Sequence, residues 1–147
     1  MIQYDAQTIG YINLFEKNTG AKVKDCFNEE EFLVFVVQPQ NLKKALENHG
    51  QKIQRLNLLT KRRIKIIEFN EDPKKFLSNL LYPFKYEIEL SDNSILIKTK
   101  DTKEKGQIFG REKTNLKRIQ GILNKYYKLE IKVVWIWQKP LKSPEFL

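Results

Sequence analysis

"IFGREKTNLKRI", residues 108–119, and "ALENHGQKIQRL", residues 45–56, each read as a tight turn between two helices. Such a turn aims backbone N–H groups from a helix N-terminus, which suits a phosphate. Glycine at each end of the turn lets a nucleic-acid backbone approach closely. Each stretch keeps one glycine of the pair. The first has Glu47 and Gly50, and the second, 63 residues on, has Gly110 and Lys113. At the same offset Arg55 and Leu56 fall on Arg118 and Ile119. The chain reads as two copies of one unit, with the loop altered at opposite ends.

Working outward, the flanking patterns also occur twice. Residues 3–17 place Ala6, Ile9, Ile12 and Phe15 three apart, the stripe of an amphipathic helix. "AKVKDCF" (21–27) reads as a strand, "NEEE" (28–31) as a turn and "FLVFVV" (32–37) as a buried strand, which Pro39 ends. Leu42, Ala45 and Leu46 restart a helix that breaks at His49-Gly50 and resumes through Ile53, Leu56 and Leu59. "RIKIIEF" (63–69) closes the unit as a strand. Asp72-Pro73 then supplies an N-cap and a first-turn proline for "KKFLSNLL" (74–81). "KYEIEL" (85–90), a turn at "SDNS" (91–94) and "ILIKT" (95–99) form a second hairpin. A loop region at 106–113 leads to a helix with Leu116, Ile119, Ile122, Leu123 and Tyr126 on one face, and "IKVVWIWQ" (131–138) closes as a strand. The fold class expected is α+β, with the order helix-strand-strand-helix-helix-strand in each unit. The units span residues 1–70 and 71–138, and the tail 139–147.

Composition narrows the partners. The chain has 147 residues, 41% of them hydrophobic, enough for globular cores. Its longest apolar run, Phe32–Val37, is far too short to span a membrane, and no secretory signal is visible. One cysteine (Cys26) and one histidine (His49) argue against a disulfide or a structural zinc. The chain therefore reads as cytoplasmic, without cofactor or metal. The absence of a nucleophile elbow and of a Walker loop argues against an enzyme or a small-molecule substrate. A net charge of +9 favours a polyanion, most often nucleic acid. Residues 1–70 hold eleven basic and eight acidic residues, whereas residues 71–147 hold sixteen and ten. The second half carries most of the excess.

A glycine-flanked turn between helices is the device with which KH domains clamp single-stranded RNA. The strand order expected here is that of the type II KH arrangement. On "NLFEKNTGAKVKDC" (13–26), "HGQKIQRL" (49–56), "IIEFNEDPKKFLSNLLYPFK" (66–85), "KGQIFGREKTNLKRI" (105–119) and the closing "VVW", the chain resembles the archaeal NusA-like transcription factors. That resemblance runs from about residue 3 to residue 137 and implies two tandem KH domains that bind RNA during transcription elongation or termination. It also implies glycines at 47, 50, 110 and 113, where this chain has Glu47 and Lys113. A carboxylate at 47 opposes phosphate by ~1 kcal/mol at 4 Å in water. Lys113 supplies a cation instead, so loop two stays competent.

The residues expected to touch RNA are Gly110, Arg111 and Lys113 in loop two, and Lys117, Arg118, Lys125 and Lys128 after it. Lys113, Lys117, Gly121 and Lys125 recur every four residues and Lys128 follows, so they share one helical face, which could equally be a solvated one. In unit one the candidates are His49, Gly50, Lys52 and Arg55, with His49 as readily a merely exposed loop residue. Trp135 and Trp137 could stack bases but suit core packing better, and Lys61–Arg63 suit a helix C-terminus better than RNA. The expected function is sequence-tolerant single-stranded RNA binding in archaeal-type transcription. One rival is a protein-interaction module docking on RNA polymerase or the ribosome. Another is an RNA-binding role in ribosomal RNA processing.

Overall fold

The structure, a computed structural model, describes residues 4–29, 32–47, 50–110 and 114–135. The chain divides into two compact units between Glu71 and Asp72.

In unit one, α1 (Ala6–Thr19) starts where the Asp5 carboxylate accepts the Thr8 N–H at 2.8 Å, and ends at Gly20 with φ +76°. The cap is why the helix begins at residue 6 and not residue 3. Only half of the apolar stripe is covered: Phe15 is buried, Ile12 packs against the core, and Ile9 stays 47% exposed. β1 (Val23–Glu29) and β2 (Phe32–Val37) pair antiparallel with Glu29 opposite Phe32, a tighter hairpin than the four-residue turn expected. β3 (Arg63–Glu68) lies parallel to β2, so the strand order is β1-β2-β3. The helices α2 (Leu42–Ala45) and α3 (Gln51–Thr60) form the crossover between β2 and β3. Phe15 stacks on Phe35 with ring centroids 4.2 Å apart, amid Cys26, Leu33, Val37, Ala45 and Leu56. Val34 and Val36 on the alternate face of β2 are also buried, which accounts for its unbroken apolar run.

Unit two repeats the order. α4 (Pro73–Leu81) is capped by Asp72, whose carboxylate accepts the Lys74 N–H at 3.0 Å. β4 (Glu87–Ser91) and β5 (Ser94–Thr99) pair antiparallel around Asp92-Asn93, and β6 (Glu130–Trp135) runs parallel to β5. Between β5 and β6 lie α5 (Thr102–Phe109) and α6 (Thr114–Tyr126). Ile95, Ile97, Ile108, Ile119 and Leu123 are buried, while Phe76 meets the Tyr126 ring edge-on at 5.4 Å. Two α-β-β-α-α-β units with this mixed sheet are tandem type II KH units.

The sequence reading placed a loop at 106–113, but helix continues to Phe109. Asp101 caps the Glu104 N–H at 2.9 Å, and exposed Gly106 sits inside the helix. Lys128 also departs from expectation. α6 ends at Tyr126, so Lys128 lies past the helix, where it lines an open concavity with Asn93, Gln120 and Asn124.

Candidate nucleic-acid interface

The two surviving glycines occupy different backbone conformations. Gly110 closes α5 with φ +67° and ψ −174°, a region essentially reserved for glycine. Gly50 opens α3 with φ +78° and ψ +14°, the left-handed helical region. Glu47 has no such need. The described non-glycine residues with positive φ are Gln40, Lys61 and Asp92. Each loop therefore keeps its glycine where its own backbone turns left-handed, one at the start of the turn and one at its end. Glu47 in loop one is accordingly not a defect in the turn.

Loop two is closed by side chains as well as backbone. The Gly110 N–H donates to the Gly106 carbonyl at 2.9 Å. Asn115, in the first turn of α6, donates its amide to the Gln107 and Ile108 carbonyls, both at 2.9 Å. Those carbonyls belong to the end of α5, where helical partners run out. The Asn115 carbonyl oxygen in turn accepts from Arg118 Nη2 at 2.8 Å and Nε at 3.2 Å. A Cβ on Gly110 would stand 2.6 Å from Asn115 Cβ.

Loop one is closed by charge. Lys52 Nζ lies 3.1 Å from a Glu47 carboxylate oxygen, with both side chains partly exposed. The carboxylate expected to repel phosphate is thus paired within its own loop, and the pair occupies Lys52, one of the cations expected to touch RNA. Arg55 is exposed on α3, and Gly50 is half-buried with open space beside it. His49, Arg111 and Lys113 lie outside the described residues.

Beyond loop two, Lys117, Gly121 and Lys125 are exposed along α6, opposite buried Ile119, Ile122 and Leu123. Lys117 and Lys125 stand about 12 Å apart along the axis. α6 carries no acidic residue, and a Cβ on Gly121 would meet nothing within 4 Å. At the offset of 63 residues Gly121 answers to Leu58 of α3, which is 80% exposed. The middle of that face is therefore open in unit two and filled by an exposed leucine in unit one, where Gln54 and Arg62 answer to Lys117 and Lys125. Arg62 spends its guanidinium on Asn28 (2.6 Å) and the Phe32 carbonyl (3.0 Å), while Lys61 caps α3, so this cluster serves the fold. Trp135 lies on β6 opposite Thr99, and Trp137 is outside the described residues.

The Asn115 clasp is not apparent from the charge and glycine pattern of the sequence. Its signal was an asparagine five residues beyond a loop glycine, in the first turn of a helix. Among the described residues no helix is long and apolar enough to cross a membrane, and no His, Cys, Asp and Glu cluster could hold a metal.

No family model matches the chain. Curated relatives do. One is the "Probable transcription termination protein NusA" of Methanocaldococcus jannaschii, 26% identical over 142 residues, which are 90% of this chain and 75% of that protein. The protein so named in Thermoplasma acidophilum is 22% identical over 132 residues, 87% of this chain and 92% of its own. The chain is similar to the archaeal NusA proteins over most of its length. A third NusA-type relative, from Methanococcus vannielii, is 35% identical over 91 residues, and that match spans 62% of this chain but half of the relative's length. All three are named for transcription termination. The crystal structure of APE1850 shares the fold of the NusA-like chain, with a TM-score of 0.67 at 24% identity, covering 90% of this chain and 99% of that one.

Proposed function

We propose that the chain binds single-stranded RNA with little sequence preference during transcription elongation or termination, and that unit two holds the RNA. The observation that carries this reading is the acid-free face Lys117–Gly121–Lys125, which follows directly on the Gly110 turn. Backbone dipoles at the loop and point charges along α6 would track a phosphate backbone, while the open surface at Gly121 admits close approach. The names of the NusA relatives support the transcriptional setting. Titration of labelled single-stranded RNA at several salt concentrations tests it. With about three to five phosphates held, log K should fall roughly 2–4 units per decade of salt.

A second reading rests on unit one. Leu58 at 80% and Leu59 at 53% exposure form an apolar step on α3, suited to docking on a protein such as RNA polymerase or a ribosomal component. A flat salt response with RNA would favour it.

A further inference from the structure

Two positions of loop two differ in concert from their counterparts in loop one, beside an arginine that both loops keep. Gly110, Asn115 and Arg118 stand 63 residues beyond Glu47, Lys52 and Arg55. Loop one bridges its first two positions with an ion pair of 3.1 Å. Loop two cannot do so, because the first of them has no side chain, and the missing Cβ is what makes room for Asn115. There the amide ties the last turn of α5 to the first turn of α6 through two 2.9 Å hydrogen bonds. The Arg118 fork grips the remaining oxygen and fixes which way the amide faces. Either arrangement closes the turn. The one in loop two uses a neutral side chain and leaves the turn free of carboxylate at position 110.

We propose that Asn115, oriented by Arg118, is the positioning residue that holds Gly110 and the end of α5 against the first turn of α6 for RNA binding. The proposal rests on the reading that unit two binds RNA. It also changes the part given to Arg118, whose Nε and Nη2 serve Asn115 and act on RNA through it. Asn115 is uncharged, and that makes its role separable from a general loss of charge or stability. If the clasp opens and the competent turn falls to about one tenth of its population, apparent affinity falls about tenfold. Losing the turn's phosphate contact should also flatten the salt slope by ~0.7 per phosphate, although no charge has been removed.

The test uses the full chain with a labelled uridine-rich single strand as probe, at several salt concentrations, with circular dichroism to confirm folding. Asn115→Ala is expected to bind about tenfold more weakly with the shallower slope. Arg118→Lys keeps the cation but loses the fork, and is expected to weaken binding about threefold at unchanged net charge. Should Asn115→Ala not fold, Arg118→Lys decides. Unchanged affinity and slope in the folded variants, beside a clear loss in Lys117→Gln/Lys125→Gln, overturn the positioning role while RNA binding by unit two stands. No RNA binding by the unaltered chain overturns both.

Discussion

Gly110 and Gly50 do different work, and substitutions should tell them apart. Gly110→Ala drives a Cβ to 2.6 Å from Asn115 in a backbone region that alanine rarely visits. A cost of about 2–3 kcal/mol is expected, as for other overpacked and strained sites. Gly50 has open space around it and a left-handed helical φ that asparagine tolerates, so Gly50→Asn should cost under about 1 kcal/mol. Urea denaturation of the two variants checks the order, and equal losses would remove the distinction. A sequence shows which glycines are present, but it does not show φ. The glycine absent at 47 therefore looked like damage, although the positive φ falls on Gly50 and not on Glu47.

Tyr4 offers a second test at this scale. Its hydroxyl donates to the buried Asp25 carboxylate at 2.8 Å, and burial, then that hydrogen bond, push its pKa well above the usual tyrosine range. A phenol with a raised pKa contributes stability that is complete below the ordinary value near 10. That contribution is lost as pH rises through the raised one. Tyr4→Phe should therefore cost about 1–3 kcal/mol at neutral pH. The gap between the two proteins should begin to narrow once pH rises past ~10, and keep narrowing until the raised value is passed. A constant gap across alkaline pH would contradict the assignment.

Among the elements, α6 is the one on which the proposed RNA contact depends. Its buried and exposed stripes were legible from spacing alone, because Ile119, Ile122 and Leu123 recur at helical period. Its end was not legible. Lys128 continues the periodicity in sequence, but the helix stops at Tyr126, and only the residues that follow could reveal that. α5 was hidden for a related reason: Gly106 looks like loop, yet the Asp101 cap starts a helix that passes through it. If α6 tracks phosphates, Lys117→Gln should make the salt slope of RNA binding shallower by about 0.7–1. Binding should weaken alike for every RNA sequence, since a phosphate contact reads no base. Anisotropy titrations with uridine-rich and adenosine-rich strands would show both effects, and a sequence-dependent loss would point to base readout instead.

At the scale of the molecule, one fold occurs twice, with the larger excess of basic residues in the second copy. Duplication, strand order and the charge excess of the second half were all readable from residue patterns, because apolar periodicity and net charge are properties of the chain itself. What could not be read is how each loop spends its polar groups, since the Lys52–Glu47 pair and the Asn115 clasp exist only once the helices pack. Unit two is proposed as the RNA-holding half of the NusA-like chain. The most direct measurement compares two double variants of the full chain at one fixed salt. Lys117→Gln/Lys125→Gln and Lys52→Gln/Arg55→Gln each remove two positive charges, one pair from each unit. At ~1 kcal/mol per exposed contact, the unit-two pair should lose tenfold or more in single-strand RNA affinity. The unit-one pair should lose less than about threefold, the share of a general drop in charge. Equal losses, or a larger loss from unit one, would contradict the account.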